Sequence, residues 1–158
     1  MSGFEDSAGL NVSNWYGPRS TGKTGGVFDT DGFVKEAVIV VKAADIGSAS
    51  YQPIILPAGA KVVGAYAKVS EAFALGGTSP VINVGTSGSE ATNGVNLTEA
   101  QGEAVGTYDL IGTIGGTWAA ALAAATTVKV VLGGTTPTVG SAGVMTVVIR
   151  YSDIASQA

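Results

Sequence analysis

Cysteine and histidine are both absent from this 158-residue chain. Without cysteine there can be no disulfide, no thiolate nucleophile and no Cys/His zinc site. Without histidine there can be no Ser-His-Asp triad and no imidazole general base. Carboxylates, Lys, Tyr and Ser–Lys pairs are what remain for catalysis, and none of them forms a recognisable motif. The sequence therefore predicts a protein that is not an enzyme, with no catalytic residue, no cofactor and no metal.

Charge is also scarce, since only 13% of the residues are Asp, Glu, Lys or Arg. Eight basic residues against twelve acidic ones give a net charge of −4, which argues against a protein that coats nucleic acid. No apolar run approaches the roughly 18 residues of a membrane helix. The N-terminal MSGFEDSAGL lacks the pattern of a signal peptide. We expect a soluble chain made in the cytoplasm, with neither nucleic acid nor membrane as a partner.

One stretch imitates a nucleotide-binding loop. GPRSTGKT, residues 17–24, fits the pattern G-x-x-x-x-G-K-[ST]. A working phosphate loop follows a buried parallel strand and leads directly into a helix. Here the polar NVSNWY precedes it, and the glycine-rich GGVFDTDGF follows it. We interpret the segment as a flexible basic stretch rather than as a nucleotide site.

The composition divides the chain in two. Residues 1–32 are polar, with scattered aromatic residues, and are predicted to form an extended N-terminal arm. Residues 33–158 are predicted to form a β-sandwich domain. β-branched residues, period-two alternation and turn signals at regular intervals favour about eight antiparallel strands. The strand-like segments are FVKEAVIVVKA (33–43), YQPIILP (51–57), LPAGAKVVGAYAKVSEAF (56–73), PVINVGT (80–86), TNGVNLT (92–98), TYDLIGTI (107–114), TTVKVVLGG (126–134) and VMTVVIRY (144–151). Alternation predicts that several sets of residues each share one face of a strand: Val63, Ala65, Ala67 and Val69; Ile82 and Val84; and Met145, Val147, Ile149 and Tyr151.

Two further features lie between these segments. LGGTSP (75–80) and LGGTTP (132–137) are similar, and Gly-Gly with Pro is typical of tight connections between strands. WAAALAAA (118–125) has a helical composition but is short for an isolated helix. We expect it to be a loop or a single turn that packs Trp118 and Leu122 over the sandwich.

Residues 52–86 and 104–151 resemble small virion proteins of tailed bacteriophages. The similarity rests on LPAGAKV, AFALGGTSPVINVGT, GTW, VVLGGTTPT and a last strand that ends in Tyr. Such proteins look like capsid decoration, or cement, proteins. The resemblance implies a jelly-roll-like β-sandwich, assembled as a homodimer or homotrimer, that binds the major capsid protein on the capsid surface of the virion.

A binding site of this kind needs adhesive side chains, and the arm carries several. Trp15, Tyr16, Arg19 and Lys23 are the predicted partner-binding residues, because aromatic residues and Arg dominate binding energies at interfaces. The alternative hypothesis is a carbohydrate- or receptor-binding β-sandwich of a phage fibre or tail. That alternative requires exposed aromatic side chains clustered on one face.

Overall fold

Strands make up most of the part of the chain that the structure describes, which is residues 34–51 and 53–153 of a computed structural model. A four-residue helix α1 (Glu99–Gly102) and three short 3-10 turns (Ala43–Asp45, Ile111–Thr113 and Gly116–Ala119) interrupt them. The strands in this part are β1 (Val34–Lys42), β2 (Ile55–Leu56), β3 (Ala60–Glu71), β4 (Leu75–Thr86), β5 (Gly94–Thr98), β6 (Gly106–Asp109), β7 (Thr126–Val139) and β8 (Val144–Asp153).

The strands form two four-stranded antiparallel sheets. The first sheet has the order β1-β8-β3-β6, and the second has the order β2-β7-β4-β5. The first strand therefore pairs with the last, the second pairs with the last but one, and the middle strands fill the remaining places. This nested order is that of a jelly roll. The predicted antiparallel, jelly-roll-like β-sandwich is confirmed, while the predicted arm, residues 1–32, lies outside the described residues.

The core lies between the two sheets and follows the alternation of the strands. Val84 of β4 lies opposite Val130 of β7 on the inner side of the second sheet, Ile82 and Val128 lie on the same side, and all four are buried. In β3 the alternation shifts, because Val63 is an extra residue in a β-bulge between two pairs of the β3–β8 ladder. The prediction that Val63 shares a face with Ala65 is wrong for this reason: Val63 is exposed, whereas Ala65 is buried.

The segment WAAALAAA behaves as predicted. It begins inside the 3-10 turn Gly116–Ala119 and continues without regular structure. The Trp118 side chain is fully buried, and its indole Nε1 donates a hydrogen bond of 3.0 Å to Thr86 Oγ1 at the end of β4. Leu122 is also buried in the core cluster. The turn therefore closes one end of the sandwich.

The two LGGT motifs are not connections between strands. LGGTSP lies within β4, LGGTTP lies within β7, and the two copies pair with each other. Thr78 lies opposite Thr135, and the register shifts on both sides of this pair. Because Leu75–Val139 and Ile82–Leu132 are equivalent pairs under the 57-residue offset, a local two-fold axis relates the copies. The glycines supply positive φ for two facing bulges instead of a turn.

Sheet edges attract other strands, and three of the four edges that the described strands form are short or covered. β2 has two residues and β6 has four. Beside β5, Gly115 N–H donates to Gly94 C=O, and Thr113 Oγ1 accepts from Asn96 N–H. β1 differs, because it is a regular strand of nine residues. Among the described strands β8 is its one neighbour.

Candidate functional site

The partner-binding residues predicted from the sequence, Trp15, Tyr16, Arg19 and Lys23, lie outside the described residues. Within the described part of the chain, the surface best suited to binding is the side of the first sheet that faces away from the core. We call this surface the outer face. It is formed by β1, β8, β3 and β6, in that order.

An apolar stripe crosses the middle of the outer face. Strand register places Val38 of β1, Val148 of β8 and Tyr66 of β3 in one row. Val38 is 58% exposed and Tyr66 is 39% exposed, whereas Val148 between them is only 6% exposed. Val148 does not belong to the core cluster. The row therefore consists of three apolar side chains, of which Val38 and Tyr66 are exposed to a partner.

The stripe extends along the strands as well as across them. Val40 lies one row further along β1 and is exposed, and Val63 is pushed onto the same side by the bulge in β3. Outward residues of an antiparallel sheet with one solvated face are normally polar. In β1, by contrast, valines occupy outward positions while Ile39 and Val41 fill inward ones. A strand that is apolar on both sides was the available sequence signal for this face, and alternation alone did not reveal it.

Charged side chains surround the stripe, and cations outnumber anions there. Of the six Lys and Arg residues that the structure describes, four project from exposed outward positions of this sheet: Lys42, Lys61, Lys68 and Arg150. The acids at outward positions of the described sheet are Glu36, Glu71 and Asp109, so cations outnumber acids only by four to three. Arg150 Nε lies 3.3 Å from Glu36 Oε2, and both side chains are about half exposed (54% and 52%). An ion pair this exposed adds little stability, so both groups remain usable by a partner.

The backbone under the stripe is rigid. β8 is paired along its length with β1 on one side and with β3 on the other. The valines are β-branched and lose little rotamer freedom when they are covered. A preorganised apolar face of this kind binds a flat partner surface at low entropic cost.

The described residues give less support to a metal site or a small-molecule site than to the outer face. No group of three or more Asp or Glu side chains in residues 34–51 and 53–153 is arranged to hold a metal ion. An open cleft beside α1 is lined partly by Glu99 and Glu103, and Glu103 Oε2 accepts a 3.2 Å hydrogen bond from Leu75 N–H. The buried Asn83 has a partner inside the fold, since its Oδ1 accepts from Asn96 Nδ2 at 2.7 Å.

Most aromatic side chains of the described residues are buried in the core or pack against it. Trp118 and Phe73 are buried in the core cluster, and Tyr51, Tyr108 and Tyr151 pack partly against it. Tyr66 is the one exposed aromatic residue among those that the structure describes. Carbohydrate platforms use several exposed aromatic rings together. The described residues therefore give the carbohydrate-binding alternative no specific support.

Comparison with known proteins identifies no relative of this chain. Searches of protein-family models, curated proteins and solved structures find no match to this chain. Among the described residues, no helix has the length and apolar character required to cross a membrane.

Proposed function

We propose that this protein is a structural virion protein that decorates and stabilises the capsid of a tailed bacteriophage by binding between major capsid protein subunits. The apolar stripe of the outer face, bordered by charged side chains, is the observation that carries the proposal. The sequence resemblance supplies the partner, and the jelly-roll sandwich is the type of fold which that resemblance implies.

The physical demands of such a role match the outer face. A decoration protein binds one shell many times over, so modest contacts repeated across the shell are sufficient. Exposed valines and Tyr66 supply apolar area, and each side chain of this size contributes about 1.5–3 kcal/mol when it is fully buried. The basic and acidic side chains around them favour a shell surface with complementary charges near an apolar patch.

The predicted arm would add to the same binding surface. The described chain begins at Val34 in β1, an edge strand of the sheet that carries the outer face. Residues 1–32 are therefore joined to the protein beside that face. Trp15, Tyr16, Arg19 and Lys23 remain predicted anchors, since residues of these types concentrate binding energy at interfaces.

Co-sedimentation with phage heads that lack this protein tests the proposal. Purified protein is mixed with expanded heads and, separately, with unexpanded heads, and the bound fraction is measured against concentration. Saturable binding to expanded heads alone is expected, because capsid expansion would create the binding surface. Absence of binding to both kinds of head would refute the proposal, and sugars would become the next ligands to test.

A pair of variants assigns the binding to the outer face. Val38→Glu places a charge in the stripe, whereas Val105→Glu makes the same change at a 67% exposed valine in the loop before β6. We expect at least tenfold weaker binding for Val38→Glu, since burying an unpaired carboxylate is costly, and no change for Val105→Glu. Equal binding by both variants would exclude the outer face as the binding surface.

Deletion of residues 1–26 tests the arm in the same co-sedimentation assay. Unchanged binding would exclude the arm as part of the binding surface.

A further inference from the structure

Among the described strands, β1 has β8 as its one neighbour, so its other edge is where this part of the fold is open to another strand. Ala43 N–H donates to Gly143 C=O, on the β8 side. Because backbone groups alternate along a strand, the odd-numbered residues of β1 face β8 and the even-numbered residues face the open edge. Val34, Glu36, Val38, Val40 and Lys42 thus direct their N–H and C=O groups outward, in the pattern that a further antiparallel strand would bind.

Two side chains from the segment after β1 occupy one half of this edge. Asp45 Oδ2 accepts a 2.8 Å hydrogen bond from Lys42 N–H. The Tyr51 hydroxyl donates to Val40 C=O, while its ring packs partly against the core. Both backbone groups belong to the even-numbered set. Asp45 and Tyr51 therefore use the ladder positions that an incoming strand would need.

The β1 edge that Asp45 and Tyr51 cover is able to pair with the β1 edge of a second copy of the chain. In an antiparallel pairing of two β1 strands centred on Ile39, Glu36 lies opposite Lys42 of the second copy, and Val38 lies opposite Val40 of the second copy. The two-fold symmetry repeats each pair. Opposite charges and β-branched residues placed directly across from each other stabilise antiparallel strands. The sequence EAVIVVK (36–42) thus fits a second copy of itself, in an isologous contact.

We propose that Asp45 and Tyr51 guard the β1 edge against a second copy of this chain, which would otherwise pair through β1 in the register centred on Ile39. Natural sheet proteins protect long edges with charges, covering loops or short strands. Here a carboxylate and a phenol perform this task by binding the backbone groups themselves. The proposal is independent of the proposed capsid function, because it concerns association of the free protein.

Sedimentation of the full-length chain tests the guard. The variant Asp45→Ala/Tyr51→Ala removes both side chains, and Asp45→Ala/Tyr51→Phe removes the hydrogen bonds while it keeps the ring that packs against the core. Tyr108→Phe is the matched control, because the Tyr108 hydroxyl also donates to a backbone carbonyl, that of Ala104, away from β1. We expect self-association at least tenfold stronger than in the wild type for the first variant, and no change for the control.

Charge reversal identifies the register. Adding Lys42→Glu to Asp45→Ala/Tyr51→Ala places carboxylates opposite each other and should abolish the new association, and adding Glu36→Lys as well should restore it. Wild-type self-association in both guard variants, with thermal melting showing at least one of them folded, would overturn the proposal. Association that is insensitive to the charge at residue 42 would also overturn it, because another surface would then be responsible.

Discussion

Gly77→Ala is the most informative substitution that the fold suggests. Gly77 lies in the bulge of β4 with φ of +106°, a conformation that L side chains rarely adopt. A Cβ atom at this position would lie 2.6 Å from Thr136 O and 2.8 Å from Thr135 O, both backbone atoms of the facing bulge. Since neither carbonyl belongs to a flexible side chain, the two strands must shift to admit the methyl group.

Two costs combine in the expected loss of stability. Forcing alanine to a positive φ costs about 1–2 kcal/mol, and overpacking that moves backbone adds about 1–3 kcal/mol. The free energy of unfolding should therefore fall by about 2–5 kcal/mol, a large part of the 5–15 kcal/mol typical of a domain. Gly47→Ala is the matched control, because Gly47 has φ of +79° but no atom within 4 Å of the added Cβ. It should lose about 1–2 kcal/mol, from the backbone conformation alone.

Urea unfolding followed by far-UV circular dichroism measures both free energies on the same scale. Gly134→Ala provides a second check, since its Cβ would lie 2.8 Å from Ser79 O and 2.9 Å from Thr78 O across the local two-fold axis. Gly134→Ala and Gly77→Ala should lose similar amounts. If Gly77→Ala loses no more stability than Gly47→Ala, the contact between the facing bulges does not constrain the fold, and the reasoning is refuted.

Two further predictions concern single side chains. Trp118→Ala should lower the free energy of unfolding by about 3–5 kcal/mol in urea, because it empties a fully buried site and leaves Thr86 Oγ1 without its donor; a loss below about 1 kcal/mol would show that Trp118 does not close the core. Burial, together with the nearby Asp45 carboxylate, raises the pKa of Tyr51 above its ordinary value of 10.0. Its contribution to stability is therefore present below pH 10.0 and is lost as pH rises through the folded-state pKa. Unfolding measured between pH 8 and 11.5 should show a steeper alkaline loss in the wild type than in Tyr51→Phe, and equal slopes would contradict this.

Much of the sandwich was predictable because burial on one side imposes a period of two. Ile82 and Val84 in β4, and Met145, Val147 and Ile149 in β8, lie where the alternation placed them. The error at Val63 came from a bulge, which leaves no trace in the hydrophobic pattern of one strand. The error at the LGGT motifs has a related cause. A Gly-Gly pair can form either a turn or a β-bulge, and the partner strand decides between them. Here the partner strand carries the other copy of the motif.

The outer face was harder to predict than the core. Alternation shows which residues share a side, but it does not show which side is covered when both are apolar, as in β1. The stripe arises only when Val38, Val148 and Tyr66, which are remote in sequence, align in one row of the sheet. The edge guard likewise depends on Tyr51 reaching back to Val40, a contact that spacing alone does not specify.

The nested order of the strands determines when the protein can fold during its synthesis. β1 pairs with β8, so Lys42 meets Val144 only after more than 100 further residues have been made. At ribosomal speeds this interval lasts roughly 5–20 s, and closing so long a loop is slow in itself. Throughout that interval the valine-rich β1 segment lacks the strand that will shield it. The valine-rich β1 segment of a nascent chain is therefore exposed long before β8 is made, and on a crowded polysome it can meet the same segment of another copy.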